Sequence, residues 1–357
     1  MEFGLFSNGH RHGKVAAHAY EEDLFEVVTA DRMGFREAWL SEHIGLNRPD
    51  TLPAPELFIC KAAALTRRIH LGPAVRLLPL YHPIDVATTA AVCDHLTGGR
   101  YMFGFGGGGL GLGNMEQRGT TDDLRHPMML ESIELIVRCW TAPEPFTHEG
   151  QFWRGKWINV QPKPLQKPHM PLAVATNDDT FIRMAAERGY MLLMSHYDPP
   201  ELLRQKMERY VLAATAAGRR PERGLLRVCR QVYVAPTDKQ AREEARPGMT
   251  VDIEEQKIGR PALYRRYIPE GGTIADVNYD YLVERGMIIV GSPDTVCERI
   301  KALYDATGGF GALLITAGRD WSTREKRARS LRLIRDQVAP YLADLDPDSR
   351  GGYAVGY

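Results

Sequence analysis

The feature that most limits what this 357-residue chain can become is an alternation repeated almost from end to end. Short β-branched or aromatic runs give way to longer amphipathic stretches, which is a βα series. The strand candidates are Glu2–Ser7, Glu37–Ser41, His70–Leu77, Tyr101–Phe105, Leu172–Ala175, Met191–Met194, Leu226–Val234 and Ala312–Thr316. Each leads into a helical pattern: Glu21–Met33, Pro55–Thr66, Ile84–Leu96, Pro127–Trp140, Thr180–Arg188, Pro200–Ala217, Lys239–Arg246 and its continuation, and Thr323–Leu345. In the last of these Leu331, Ile334, Val338, Tyr341 and Leu345 recur at three or four residues, behind a Ser322-x-x-Glu325 capping box. Gly98 and Gly99 close the third helix. Eight such units, bounded by turn signals, predict an α/β fold of the (β/α)8 TIM-barrel kind rather than an open doubly wound sheet.

Two stretches break the rhythm. Residues 143–170 are rich in proline and aromatics and read as a hairpin-like excursion before the fifth strand. Residues 247–291 are too long for a plain loop and read as an insertion serving as a lid, with a helix-like Val277–Glu284 inside it. A further helix, Ser292–Asp305, opens with Ser292 at N-cap and Pro293 at N1. No composition break marks a linker, so residues 1–357 read as a single domain.

Bulk properties narrow the function. Forty-five basic residues balance forty-five acidic ones, so no overall field draws the chain to nucleic acid or an anionic membrane. Cys60, Cys93, Cys139, Cys229 and Cys297 are scattered and never in C-x-x-C spacing, against a disulfide framework or a thiolate metal site. No apolar run approaches the roughly 20 residues that span a bilayer, and no signal-like start is seen; the reading is a reducing cytoplasm.

In a barrel of this kind the chemistry gathers where the βα loops converge, at the carboxyl ends of the strands. The unusual sequence falls there: "SEHIG" with Glu42 and His43, "LLPLYHP", the run "RYMFGFGGGGLGLGN" at 100–114, "ATNDD" and "SHYDPP". Gly104, Gly106 and Gly109 satisfy G-x-G-x-x-G, yet a dinucleotide fingerprint should open a helix directly and begin a nucleotide domain, and this run does neither. One reading is a loop whose glycines take left-handed turns. The other is a flat ring lying against backbone from which any Cβ is excluded. Asn177 to Thr180 start a helix and offer N–H groups to an anion; an Asp cap on a surface helix explains them equally well. His10 and His12 lack a third ligand by spacing and read as a solvated loop near the substrate entrance. Trp153 and Trp157 read as anchors of the 143–170 excursion.

The stretches "FGLF" at 3–6, "AWLSEH" at 38–43, "LLPLYHP" at 77–83, "LTGGRYMFGFGGG" at 96–108, "FTHEGQFW" at 146–153, "MAAERGY" at 184–190 and "VGSPDTVCERIKALYDATGGFGALL" at 290–314 cover nearly the whole chain in order. As an ordered set they are specific. The sequence resembles the bacterial-luciferase-like flavin monooxygenases, most nearly the limonene and diketocamphane monooxygenase type. The resemblance implies a barrel carrying FMN, often dimeric, in which reduced flavin and O2 give a C4a-peroxyflavin that oxygenates a small apolar organic substrate.

It also implies roles for residues. His43 matches the histidine beside the flavin that handles the peroxide, and Glu42 the acidic residue before it. Ala74 and Val75 fall where the family has a non-prolyl cis peptide under the ring. Gly106 and Gly107 match backbone flanking the flavin; Ala175, Thr176, Asn177 and Thr180 match the phosphate-binding turn; Met194 and Ser195 match the strand end near the ring. Luciferase has an arginine near the position of Gly107, so Arg125 is the substitute here. Asp178 and Asp179 stand beside the phosphate turn, where two carboxylates repel an anion unless they face outward. No second nucleotide-binding unit is visible, so an NAD(P)H-dependent flavin reductase would supply reduced FMN. A deazaflavin-dependent oxidoreductase of the same fold and a non-catalytic flavin-binding protein are the alternatives.

Overall fold

The computed structural model describes residues 1–11, 14–44, 52–108, 115–259 and 261–345. Its strands are β1 (Glu2–Ser7), β2 (Glu37–Leu40), β3 (His70–Pro73), β4 (Arg76–Leu77), β5 (Phe103–Gly106), β6 (Phe146–Glu149), β7 (Arg154–Ile158), β8 (Leu172–Ala175), β9 (Met191–Met194), β10 (Leu226–Val234), β11 (Ile288–Gly291) and β12 (Ala312–Ala317). The helices are α1 (Ala16–Met33), α2 (Pro55–Leu65), α3 (Pro83–Leu96), α4 (Arg125–Thr141), α5 (Asp179–Arg188), α6 (Pro200–Ala216), α7 (Asp238–Gly259), α8 (Pro261–Arg265), α9 (Tyr279–Glu284), α10 (Pro293–Thr307) and α11 (Arg324–Leu333).

Parallel pairing runs β3-β2-β1-β12-β10-β9-β8-β5-β4. β3 and β4 are halves of one barrel strand, parted at Ala74-Val75, and the Leu71–Tyr101 bridge joins the lower half to the strand that becomes β5. The sheet therefore closes on itself as a TIM barrel. Side chains alternate across it. Ala173, Met191, Leu193, Cys229 and Leu314 turn inward around Trp39 and Met102, while Leu172, Val174, Leu192, Val228, Leu313 and Ile315 turn outward to the helices. Each such apolar side chain removed from water contributes roughly 1.5–3 kcal/mol, so the two-sided burial makes the barrel the stable element of the chain.

Where the structure departs from expectation, local signals were overridden by packing. β11 lies inside the segment read as an insertion; it adds to the upper half of β10, which is long enough to pair with β9 and β12 below and β11 above. α7 runs straight through Pro247 and Gly248. Gly248 is there because a Cβ would sit 2.5 Å from Trp321 Cα, so α7 crosses the β12–α11 loop at close range. The cap of α11 is Thr323, whose side chain accepts from Lys326 N, one residue later than the Ser322 box predicts. Gly98 and Gly99 do carry positive φ after α3, and Ser292 does cap α10 with Pro293 at N1. Residues 143–170 contain the antiparallel hairpin β6–β7, which spans Phe146–Ile158. Within it Trp153 donates to Ser132 Oγ at 3.0 Å, but Trp157 is 84% exposed and anchors nothing among the described residues.

Candidate active site

The carboxyl ends of the barrel strands surround a cavity of about 950 Å³. Its floor is the upper surface of the inner core: Phe6, Leu193, Cys229 and Leu314, with Ala74, Val75 and Ala175 beside them. Its roof includes Gly259 and Pro261–Leu263 of the segment predicted to be a lid.

The chain leaves β2 through a turn tied to β1, where Ser41 N donates to Ser7 O at 3.0 Å and Ser41 Oγ to Asn8 O at 2.9 Å. Glu42 and His43 come next, and both border the cavity. Glu42 is engaged by its neighbours. Its carboxylate accepts from Arg76 Nη1 at 3.1 Å, from Leu77 N at 2.9 Å and from the Tyr81 hydroxyl. Arg76 also faces Glu56 at 3.3 Å and lies 3.6 Å from the Tyr81 ring centroid. Burial pushes the Glu42 carboxyl up to about 7, against the opposing pull of Arg76 and the hydrogen bonds. By this geometry Glu42 holds the backbone of β4 immediately beyond the Ala74-Val75 peptide, which is cis. His43 is half-buried on the cavity wall, its backbone N–H donating to Leu52 O at 3.2 Å.

The glycine run divides by function. At Gly104 a Cβ would lie 2.1 Å from Pro73 O and 3.0 Å from Trp39, and at Gly106 it would lie 2.6 Å from Val75 Cγ2. Protein, not ligand, excludes side chains at these two positions, which corrects the flat-ring reading for them. Gly107 and Gly108 do border the cavity, and a Cβ on Gly107 would meet nothing nearer than His126 at 3.4 Å. Gly109 lies outside the described residues.

Ala175, Thr176 and Asn177 line the cavity after β8. Asp178 is the N-cap of α5: Oδ1 accepts from Thr180 N at 2.8 Å, its own N–H donates to Thr176 Oγ1 at 3.0 Å, and Oδ2 stands 3.6 Å from His126 Nδ1. Asp179 turns outward to pair with Arg209. Both aspartates thereby have structural duties, though Asp178 also lines the cavity; Thr180, with its N–H already engaged, stands outside the lining. Arg125 lines the cavity and donates to Gly108 O at 3.0 Å. Burial, with Arg125 alongside, holds His126 below the ordinary imidazole range.

Met194 and Ser195 end β9 on the cavity wall. The turn beyond them is self-tied, with Ser195 N donating to Asp198 Oδ2 at 3.2 Å and Tyr197 N to Ser195 Oγ at 3.1 Å. Of the sequence-predicted residues, Glu42, His43, Ala74, Val75, Gly107, Arg125, Ala175, Thr176, Asn177, Met194 and Ser195 converge on one cavity; Gly106 and Thr180 do not line it. Missed were His196, Asp198, Lys206 and Arg266. The first two stand in "SHYDPP", whose place on the rim was legible; nothing local sets Lys206, in a helix, or Arg266, in a turn, apart from other solvated cations. His10 is buried with its N–H on Gly318 O at 3.0 Å and is absent from the cavity wall, and His12 lies outside the described residues.

Comparison with known proteins gives the family and the fold. The family model described as luciferase-like monooxygenase matches residues 1–309. A 4-hydroxyprotoasukamycin monooxygenase of Streptomyces nodosus subsp. asukaensis is 32% identical over 95% of this chain and 92% of its own length. Limonene 1,2-monooxygenase of Rhodococcus erythropolis is 30% identical over 98% of this chain and 89% of its own. Among solved structures, the oxygenating constituent of 3,6-diketocamphane monooxygenase of Pseudomonas putida, a type II Baeyer–Villiger monooxygenase in complex with FMN, superposes with a TM-score of 0.85 at 29% identity, covering 95% of this chain and 98% of that one. With the barrel, the rim constellation and these likenesses in hand, the chain belongs to the luciferase-like monooxygenase family.

Proposed function

We propose that this protein is an FMN-dependent monooxygenase that uses reduced FMN and O2 to oxygenate a small organic substrate, as the oxygenase half of a two-component system. The observation that carries the reading is the convergence on one cavity of His43, the Ala74-Val75 step and the Gly107–Gly108 and Ala175–Asn177 walls. A flavin fits these residues. The cavity, about 950 Å³, is at the upper end of the usual range for ligand sites, and its floor is apolar as a ring system requires. Gly107 and Gly108 offer main chain without side chains, and Arg125 brings a cation to the same wall for a phosphate.

Bound reduced flavin supplies the two electrons that activate O2 for insertion. This chain's residues do the rest. Ala74, Val75, Met194 and Ser195 orient the ring, and Ala175, Thr176, Asn177 and Arg125 hold its tail. Glu42, tied to Arg76, Leu77 N and Tyr81, keeps the β4 wall in place. His43 presents an imidazole to the cavity, the side chain best suited to donate or accept a proton near neutral pH. Gly259 and Pro261–Leu263 border the cavity, where they would limit the access of water to the reacting atoms. An NAD(P)H-dependent flavin reductase supplies reduced FMN; the constituent status of the Pseudomonas putida relative supports that division of labour.

The test is stopped-flow mixing of protein loaded with reduced FMN against oxygenated buffer. The oxidised-flavin absorbance is expected to return after a lag in the wild type and without one in His43→Ala. Equally rapid reoxidation in both proteins, at the rate of free reduced FMN, would overturn the reading.

A further inference from the structure

The cavity wall built by β9, α6 and α8 carries more positive charge than the protein neutralises. Asp198, 1% exposed, accepts from Lys206 Nζ at 2.6 Å. Lys206 is itself 2% exposed. Behind them Arg230, wholly buried, donates to the carbonyl oxygens of Asp198 at 2.8 Å and Cys229 at 2.9 Å, and its Nε has no hydrogen-bond partner among the described residues. Arg266 stands 3.9 Å from Asp198 Oδ1, beyond hydrogen-bond reach. Three cations gather about one carboxylate on this wall, with Glu201 as a further negative charge acting on Arg230, so among the described residues positive charge remains in excess. Carbonyl dipoles do not cancel a buried guanidinium, and a buried cation is stabilised by a facing negative charge, which an anion in the cavity can supply.

Arg266 is placed to meet that anion. Its side chain is 34% exposed and borders the cavity with Lys206 and Asp198. The adjoining backbone is seated by aromatic contacts, Tyr264 lying 5.9 Å from both Tyr197 and Tyr267. A guanidinium presents a planar fork that fits a carboxylate with two hydrogen bonds. Beside this wall lies the apolar floor of Phe6, Leu193 and Leu314.

We propose that Arg266 and Lys206, backed by Arg230, form an oxyanion subsite, and that the molecule oxygenated here is an organic acid whose carboxylate they hold while its hydrocarbon part lies over the apolar floor. The inference rests on the flavin reading above and replaces a wholly apolar substrate with an amphipathic one. The flavin's own phosphate is the other source of an oxyanion; the Arg125 and Ala175–Asn177 wall already serves it, and the experiment separates the two.

FMN-loaded protein is titrated calorimetrically with 4-oxocyclohexane-1-carboxylate and with cyclohexanone, and FMN and riboflavin are titrated into the cofactor-free protein. The acid is expected to bind the wild type roughly ten-fold or more tighter than the ketone, as a charge-assisted pair implies. Arg266→Ala should erase that preference without changing ketone affinity, and Arg266→Lys should restore part of it. The ratio of FMN to riboflavin affinity should be the same in wild type and Arg266→Ala. Equal binding of acid and ketone by the wild type, or a preference that survives Arg266→Ala, would overturn the subsite. Collapse of the FMN-to-riboflavin ratio in Arg266→Ala would assign the arginine to the flavin phosphate and overturn the acid substrate. Absence of FMN binding by the wild type would overturn the flavin reading, and this inference with it.

Discussion

Two charged clusters lie at opposite ends of the same barrel and are built on opposite principles. At the amino ends of the strands, Arg227 meets Glu37 with Nε and Nη2 at 3.2 and 3.3 Å, and Trp39 Nε1 donates to the same carboxylate at 3.0 Å. The guanidinium faces the carboxylate, both are buried, and the inner core lies above them. At the carboxyl ends Asp198 faces Lys206, Arg230 and Arg266, and the cluster opens onto the cavity. The closed pair belongs to the architecture, because a buried charge without its partner is costly. The open cluster is what a ligand would complete.

The largest expected effect breaks the closed pair. Arg227→Leu removes the guanidinium that faces buried Glu37 and should lower stability by about 3–5 kcal/mol, read from urea unfolding. Arg266→Ala, at the partly exposed end, should stay within about 0.5 kcal/mol of wild type in the same assay. Equal losses from the two would erase the distinction drawn between the clusters.

The glycines sharpen it next. Gly104→Ala forces a Cβ to 2.1 Å from Pro73 O, whereas the nearest atom to a Cβ on Gly107 is His126 at 3.4 Å. The first should cost about 1–3 kcal/mol or more, as overpacking does, with the second nearly neutral for folding. On the flavin reading Gly107→Ala should instead weaken FMN binding. Thermal unfolding and flavin fluorescence titration of both variants measure the contrast.

The smallest effect concerns pH. The Glu42 carboxyl is raised from its ordinary value of 4.5 to about 7, chiefly by burial. A carboxyl that is harder to ionise folded than unfolded contributes most below its unfolded pKa, and that contribution is lost as pH rises through the folded one. The melting temperature of the wild type relative to Glu42→Gln should therefore fall between about pH 4.5 and 7. A difference that is flat or rises over that window would refute the assignment.

Much of the frame was legible because it depends on local periodicity. Glu2–Ser7, Leu172–Ala175, Met191–Met194 and Leu226–Val234 stand where alternation and turn signals put them, since a two-sided apolar run has one way to be buried in such a barrel. β11 was hidden because its four residues sit between Gly286 and Ser292 among helix-like signals, and only the free upper edge of β10 makes them a strand. Most of the candidate site was legible through motifs at strand ends. Lys206 and Arg266 were not, because a lysine in a helix and an arginine in a loop read as solvated cations until the fold buries one and turns the other toward a shared carboxylate.

The sequence by itself determined the eight βα units of the barrel, the rim on which unusual residues collect and the family to which the chain belongs, all carried by short-range pattern. Tertiary structure alone decided which glycines serve the protein's own packing, that Asp178 caps a helix while Asp179 pairs outward, and where positive charge exceeds negative. Those outcomes depend on distances between residues far apart in the chain, and charge and steric exclusion act through distance rather than through sequence.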